Sequence, residues 1–144
     1  MTLRLDHINI SVKNLDKSIN WYQTIFGFQK VEEGVNHIGA KWAILAFNDS
    51  MIAMSEYTHR KDPIIYNVNA ENHAIFHFGI RIDNIEDWRS KVKLHNLKLY
   101  YGGEVKYPFS VSWYIHDPTG HEIEVSYSEG KPLRFVNSMI LEKD

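Results

Sequence analysis

Two stretches of this chain, HINISVKNLD beginning at His7 and HFGIRIDNIE beginning at His77, repeat one another at an offset of 70 residues. Aligned, they share the histidine and then match Ile10 with Ile80, Val12 with Ile82, Asn14 with Asn84, Leu15 with Ile85 and Asp16 with Glu86. Chance can place two histidines, but hardly the whole register, so the reading is a duplicated supersecondary unit. Ile8, Ile10 and Val12 alternate with His7, Asn9 and Ser11, which predicts a half-buried strand. Asn14 then suits an N-cap and Asp16 the positive start of a helix, while Leu15, Ile19, Tyr22 and Phe26 recur at helical spacing up to Gly27. In the second copy Phe76, Phe78, Ile80 and Ile82 alternate with His77, Gly79 and Arg81. Asn84 there introduces a helix whose stripe is Ile85, Trp88, Val92 and His95.

Three strand-like runs follow each helix: 28–32, 41–47 and 51–56 in the first copy, and 98–105, 110–115 and 122–127 in the second. Asn48-Asp49-Ser50 and Asp117-Pro118-Thr119-Gly120 supply turns, the latter with proline and glycine where a type I turn favours them. The order is therefore strand–helix–strand–strand–strand, twice, which is an α+β class. We expect one domain over 1–144, with modules of about 1–57 and 73–128, a polar connection over 57–72 and a tail over 129–144. In the tail Leu133, Val136 and Ile140 suggest a short amphipathic helix.

Composition narrows the function. With 44% hydrophobic residues among 144, the chain can bury a real core. The net charge of −2 and the interspersed signs show no basic tract that would mark a nucleic-acid partner. Cysteine is absent, which excludes disulfides, cysteine nucleophiles and thiolate metal ligands and fits a reducing cytoplasm. The opening MTLRLDHINI does not read as a signal peptide, and no apolar run reaches membrane-spanning length. A cytoplasmic protein without a membrane partner is the expectation.

The strand faces turned away from the helices carry the chemistry. His7, Asn9 and Ser11 share one face, as do His77, Gly79 and Arg81. Ser110, Ser112, Tyr114 and His116 alternate with apolar residues, and so do Glu122, Glu124 and Ser126. A solvated face more usually carries Lys, Thr and Glu, so we read this one as the lining of a concave cavity to which Asn9, Arg81 and Ser112 contribute. Two imidazoles and one carboxylate from the ends of such strands would make a facial triad that leaves adjacent metal positions open. Histidine binds metal when neutral and carboxylate when ionised, so occupancy should fall in acid.

At these residues the chain resembles the glyoxalase / bleomycin resistance / extradiol dioxygenase group, the vicinal oxygen chelate superfamily. The resemblance runs from LDHINISVKNLDKSINWYQTIFGF through HFGIRIDNIEDW to SVSWYIHDPTGHEIEV. It implies two βαβββ modules forming a curved, partly open mixed β-sheet barrel with helices outside. It implies His7, His77 and Glu124 as ligands of one divalent ion, with Tyr114 as a catalytic residue pointing at substrate. It also implies a homodimer acting on a small molecule. Glyoxalase I-type members use a fourth carboxylate from the last strand of the first module, where this chain has Ala53; Glu56 lies nearby and is held as a reserve ligand. The fosfomycin-resistance branch carries Thr where this chain has Asn9. The extradiol branch has one more catalytic histidine, for which His59, His73 and His116 are the candidates.

The chemistry that the resemblance implies is a substrate chelating the ion through two neighbouring oxygens, the ion acting as Lewis acid. Three protein ligands leave room for a bidentate substrate and one further small ligand, which leans toward Fe(II) dioxygenase chemistry; Mn(II), Zn(II) and Ni(II) stay open. The alternatives are a lactoylglutathione-lyase-like isomerase, a thiol transferase of the fosfomycin-resistance type, and a metal-free drug-binding protein.

Overall fold

Apolar alternation over residues 7–12 produces the first strand, β1 (His7–Val12), in which Ile10 and Val12 are buried. The structure, a computed structural model, describes residues 1, 3–59 and 75–130. The tail helix, His73 and most of the polar connection lie outside the described residues.

The chain turns from β1 into α1 (Leu15–Phe26) where the sequence asks it to. The Asn14 side chain accepts a hydrogen bond from the Lys17 N–H at 2.8 Å, and Asp16 sits in the positive first turn. Gly27 ends the helix at φ 79°, with its N–H donating to the Gln23 carbonyl at 3.0 Å. Leu15, Ile19, Tyr22 and Ile25 are buried, and the helix packs against β3 (Lys41–Phe47) and β4 (Ser50–Glu56). Phe26, expected in that stripe, is only half-buried, because Ile25 lies in the same arc and takes the inner position.

β2 (Gln29–Val35) runs three residues beyond the expected end and bulges between Lys30 and Glu32. It is an edge strand, so its residues face solvent on both sides and the period-two signal is lost. A Cβ on Gly34 would stand 2.8 Å from Trp42 Cζ2, so the glycine is what lets that ring lie across the strand. The sheet order is β1-β4-β3-β2, with β1 parallel to β4 and the remaining pairs antiparallel. The parallel pair is possible because α1 and the β2–β3 hairpin form the crossover.

The second half repeats the plan. β5 (Phe78–Ile82) leads through Asn84, whose side chain accepts the N–H groups of Glu86 and Asp87, into α2 (Ile85–Leu94). Then come β6 (Val105–Tyr107), β7 (Ser110–His116) and β8 (Glu122–Ser128), in the order β5-β8-β7-β6 with β5 parallel to β8. Two four-stranded mixed sheets, each served by one helix, establish the α+β class and the duplication. Of the α2 stripe only Trp88 is buried, stacked edge-on against Trp113 at 6.3 Å, while His95 is exposed at the helix end.

One expected strand is corrected. Residues 98–105 do not form an extended run. Tyr101, Gly102 and Gly103 all have positive φ, at 54°, 82° and 101°, which bends the chain and delays β6 to Val105. A single backbone bond, from Tyr100 N–H to the Tyr114 carbonyl at 2.9 Å, survives upstream of the bend.

The described residues divide into two compact units. One comprises β1 to β4 with α1, joined by the turn Asp117–Gly120; the other comprises β5 to β8 with α2. Within the first unit the buried Asp117 carboxylate accepts the N–H groups of Thr119 at 2.9 Å and Gly120 at 2.8 Å, and the Tyr22 hydroxyl at 3.0 Å. Thr119 Oγ1 accepts the Lys13 N–H at 3.2 Å. Burial, followed by the Asp117 charge, raises the Tyr22 phenol well above its ordinary value.

Tyr22→Phe removes a hydrogen bond to a buried carboxylate and should cost about 2 kcal/mol in denaturant unfolding. Because the folded state holds the Tyr22 proton more tightly than the unfolded chain, that contribution is full below about pH 10 and fades as pH rises through the raised value. The difference between wild type and Tyr22→Phe should therefore shrink in strong alkali.

Candidate metal centre

The register of β7 and β8 places Tyr114 opposite Glu124, His116 opposite Glu122 and Ser112 opposite Ser126. Ile115, Ile123 and Val125, on the other parity, are buried. Parallel pairing brings β5 alongside β8 with Gly79 opposite Glu124, so His77, two residues earlier, stands near the start of β8. All of these residues belong to the second unit.

The result is a connected cluster. His77 Nε2 lies 3.1 Å from Glu124 Oε2, and His77 Nδ1 lies 3.5 Å from Glu122 Oε1. Ser112, which is buried, donates its hydroxyl to Glu124 Oε1 at 2.6 Å. One oxygen of Glu124 is thereby fixed and the other is left facing the imidazole. The Tyr114 ring meets the His77 ring edge-on at 5.6 Å, and its hydroxyl shares a hydrogen bond of 3.1 Å with the Tyr107 hydroxyl. Tyr101 donates to Glu122 Oε2 at 2.7 Å, and His116 stacks on Tyr100 at 4.0 Å. Burial, then the bond to Tyr107, then the Glu124 charge push the Tyr114 phenol upward, so it is a neutral O–H donor. The bond to Glu122 likewise raises Tyr101.

These atoms fit a metal. Two donors at right angles and about 2.1 Å from one ion stand about 3 Å apart. The separation of 3.1 Å between His77 Nε2 and Glu124 Oε2 matches such adjacent positions. Among the described residues, no group of three or more His, Cys, Asp or Glu side chains is placed to hold an ion. What the second unit holds is a pair of potential donors, His77 Nε2 and Glu124 Oε2, side by side. His7, the third expected ligand, stands on β1 of the first unit, exposed, with its Nδ1 2.8 Å from Asp6 Oδ2.

The other expected site residues are placed as follows. Asn9 is exposed on β1, opposite Ala53 of β4. Glu56, the reserve ligand, ends β4 and its Oε2 accepts the Leu15 N–H at 2.8 Å, so its carboxylate serves the start of α1. Arg81 donates to Ser128 Oγ at 2.6 Å. His116 touches Glu122 at 3.7 Å, while His59 is exposed in a turn after β4. Tyr101 and Tyr107 were not singled out from the sequence. Their signal was present as KLYYGGEVKY, an unusual density of phenols next to two glycines.

The description "Glyoxalase/Bleomycin resistance protein/Dioxygenase superfamily" matches residues 4–125. The chain belongs to this superfamily. It is 23% identical over 128 residues to the "Probable trivalent organoarsenical cleaving enzyme" of Bacillus subtilis, covering 85% of this chain and 79% of that protein. It is 26% identical over 125 residues to the "Lactoylglutathione lyase" of Neisseria meningitidis, covering 85% of this chain and 88% of that one. Among solved structures, a glyoxylase/bleomycin resistance protein/dioxygenase domain from Frankia superposes with a TM-score of 0.74 at 13% identity, covering 92% of this chain and 96% of that one. The fosfomycin resistance protein FosX of Listeria monocytogenes, solved with Mn(II) and sulfate, gives 0.63 at 18% identity over 89% of this chain and 94% of its own.

In an alkaline ultraviolet titration, wild type should show phenolate signal that develops well above the ordinary tyrosine range near pH 10. Tyr114→Phe should remove part of that late fraction, because the raised phenol is the one deleted. An unchanged late fraction would mean Tyr114 ionises with the ordinary tyrosines.

Proposed function

We propose that this chain is a divalent-metal-dependent enzyme acting on a small substrate that chelates the metal through two adjacent oxygens, with His7, His77 and Glu124 as ligands. The observation that carries this reading is the pairing of His77 Nε2 with Glu124 Oε2 at the spacing of neighbouring ligands, beneath a protonated Tyr114. The ion supplies Lewis-acid stabilisation of negative charge developing on the substrate oxygens. The chain's own residues do the rest. Ser112 fixes which Glu124 oxygen faces the site. Tyr114, kept neutral by its surroundings, donates a hydrogen bond to a substrate oxygen and withholds that proton from solution. Asn9 on β1 and the phenols of Tyr101 and Tyr107 contribute polar lining.

We favour dioxygenase chemistry with Fe(II). Ala53 offers no fourth carboxylate and Glu56 is committed to α1, so the ligand set stays at three. The face of the second unit also suits an uncharged phenolic substrate. Among its described residues, Arg81 donates to Ser128 and Lys98 lies 4.9 Å over the Tyr100 ring, while Glu122 and Glu124 both lie against His77. The chain has no cysteine, so it offers no thiolate of its own to a soft metal or to arsenic. A lyase of the lactoylglutathione type, with Zn(II) or Ni(II), is the second reading, favoured by the 26% identity to that enzyme. We take the working form to be a homodimer, as the family resemblance implies, in the cytoplasm, with which the absence of cysteine fits.

Protein purified without oxygen should carry close to one Fe(II), Mn(II), Zn(II) or Ni(II) per chain by metal analysis. His7→Ala, His77→Ala and Glu124→Ala should each lose it with unchanged far-ultraviolet circular dichroism. Normal metal content in any of the three would remove that residue from the ligand set. With Fe(II) present, oxygen uptake on a panel of catechols is the expected result. Silence there combined with turnover of a thiol hemiacetal would replace the dioxygenase by the lyase.

A further inference from the structure

The most constrained side chain outside the ligand set is Tyr101. It sits at φ 54°, in the left-handed region that residues with side chains rarely adopt, followed by Gly102 and Gly103 at 82° and 101°. The bend is not held by burial, since Tyr101 is 67% exposed. What it achieves is to fold the phenol back toward β8, where its ring meets Tyr114 edge-on at 5.0 Å and its hydroxyl donates to Glu122 Oε2 at 2.7 Å.

Glu122 is then placed between two histidines. Its Oε1 lies 3.5 Å from His77 Nδ1, and its Oε2 lies 3.7 Å from His116 Nε2. The first unit shows the same arrangement at its own histidine, where Asp6 Oδ2 lies 2.8 Å from His7 Nδ1. In both copies a carboxylate faces Nδ1 and Nε2 is the nitrogen left for other partners. A carboxylate on the far nitrogen of a ligand histidine fixes the tautomer and the ring plane and makes the ligating nitrogen more basic.

We infer that Tyr101 and Glu122 are positioning residues for His77: the Tyr101 hydroxyl fixes the Glu122 carboxylate, and the carboxylate directs the imidazole so that Nε2 faces the ion beside Glu124. The inference rests on the ligand role proposed for His77. It assigns a purpose to the strained Tyr-Gly-Gly bend and to a glutamate two residues from the proposed ligand.

The test is a Mn(II) titration of the full-length, metal-stripped protein. Glu122→Gln keeps the size of the side chain and removes its charge; it should weaken Mn(II) binding about tenfold. Tyr101→Phe should weaken it about threefold, and adding Tyr101→Phe to Glu122→Gln should cost nothing more, because the phenol acts through the carboxylate. Melting temperatures of the stripped variants should match wild type. In the Zn(II)-loaded protein the nitrogen-15 resonance of His77 Nδ1 should move in Glu122→Gln, a readout that loss of a surface contact elsewhere would not shift. Wild-type affinity and an unmoved resonance in both variants, with uptake lost in His77→Ala, would overturn the inference and leave the metal site standing. Wild-type uptake by His77→Ala would overturn both.

Discussion

The parallel pairing of β5 with β8, Phe78 opposite Ile123 and Gly79 opposite Glu124, is the constraint on which the chemistry of the second unit depends. Side chains alternate across a sheet, so this register decides which residues share a face. A slip of one residue on β8 would send Glu122 and Glu124 toward the α2 side and bring Ile123 and Val125 outward. The slip is opposed by burial: Ile123 and Val125 are fully buried, and Trp113 between Ser112 and Tyr114 is packed against Trp88 of α2. Burying those side chains is worth roughly 2 kcal/mol each. The apolar face therefore holds the polar face in position, and the cluster of His77, Glu124, Ser112 and Tyr114 is a consequence of the core behind it.

The polar cluster is built on phenols and carboxylates rather than on guanidinium or ammonium groups. Tyr101 donates its hydroxyl to Glu122, which faces His77; Ser112 donates to Glu124; and the hydroxyls of Tyr107 and Tyr114 share a hydrogen bond. Such side chains have few rotatable bonds and bring little entropy to be lost on ordering. A site of this composition is held ready before any ligand arrives, and it favours charge-neutral protons on oxygen over free positive charge.

Much of this was legible in the residues. The two helix starts, the Gly27 stop and the alternation of β1, β5, β7 and β8 each rest on local chemistry that a sequence displays directly. Features decided by neighbours distant in the chain were not. Residues 98–105 have strand composition, yet three consecutive left-handed residues break them, and only the pull of Glu122 on Tyr101 gives that bend its sense. Glu56 has the chemistry of a ligand, but the free N–H groups at the start of α1 claim it. Within the candidate site, strand parity put His77, Glu124, Ser112 and Tyr114 on polar faces, and the family resemblance singled out His77, Glu124 and Tyr114 there; the partnership of Glu122 with Tyr101 depends on loop geometry and left no periodic trace.

The turn Asp117–Gly120 lies between two strands of the second unit but clusters with the first, where Asp117 binds the Tyr22 hydroxyl and Thr119 accepts from Lys13. The duplication is therefore not a pair of interchangeable beads. Severing the chain between the halves would deprive the leading fragment of a buried anion that its helix is shaped to receive.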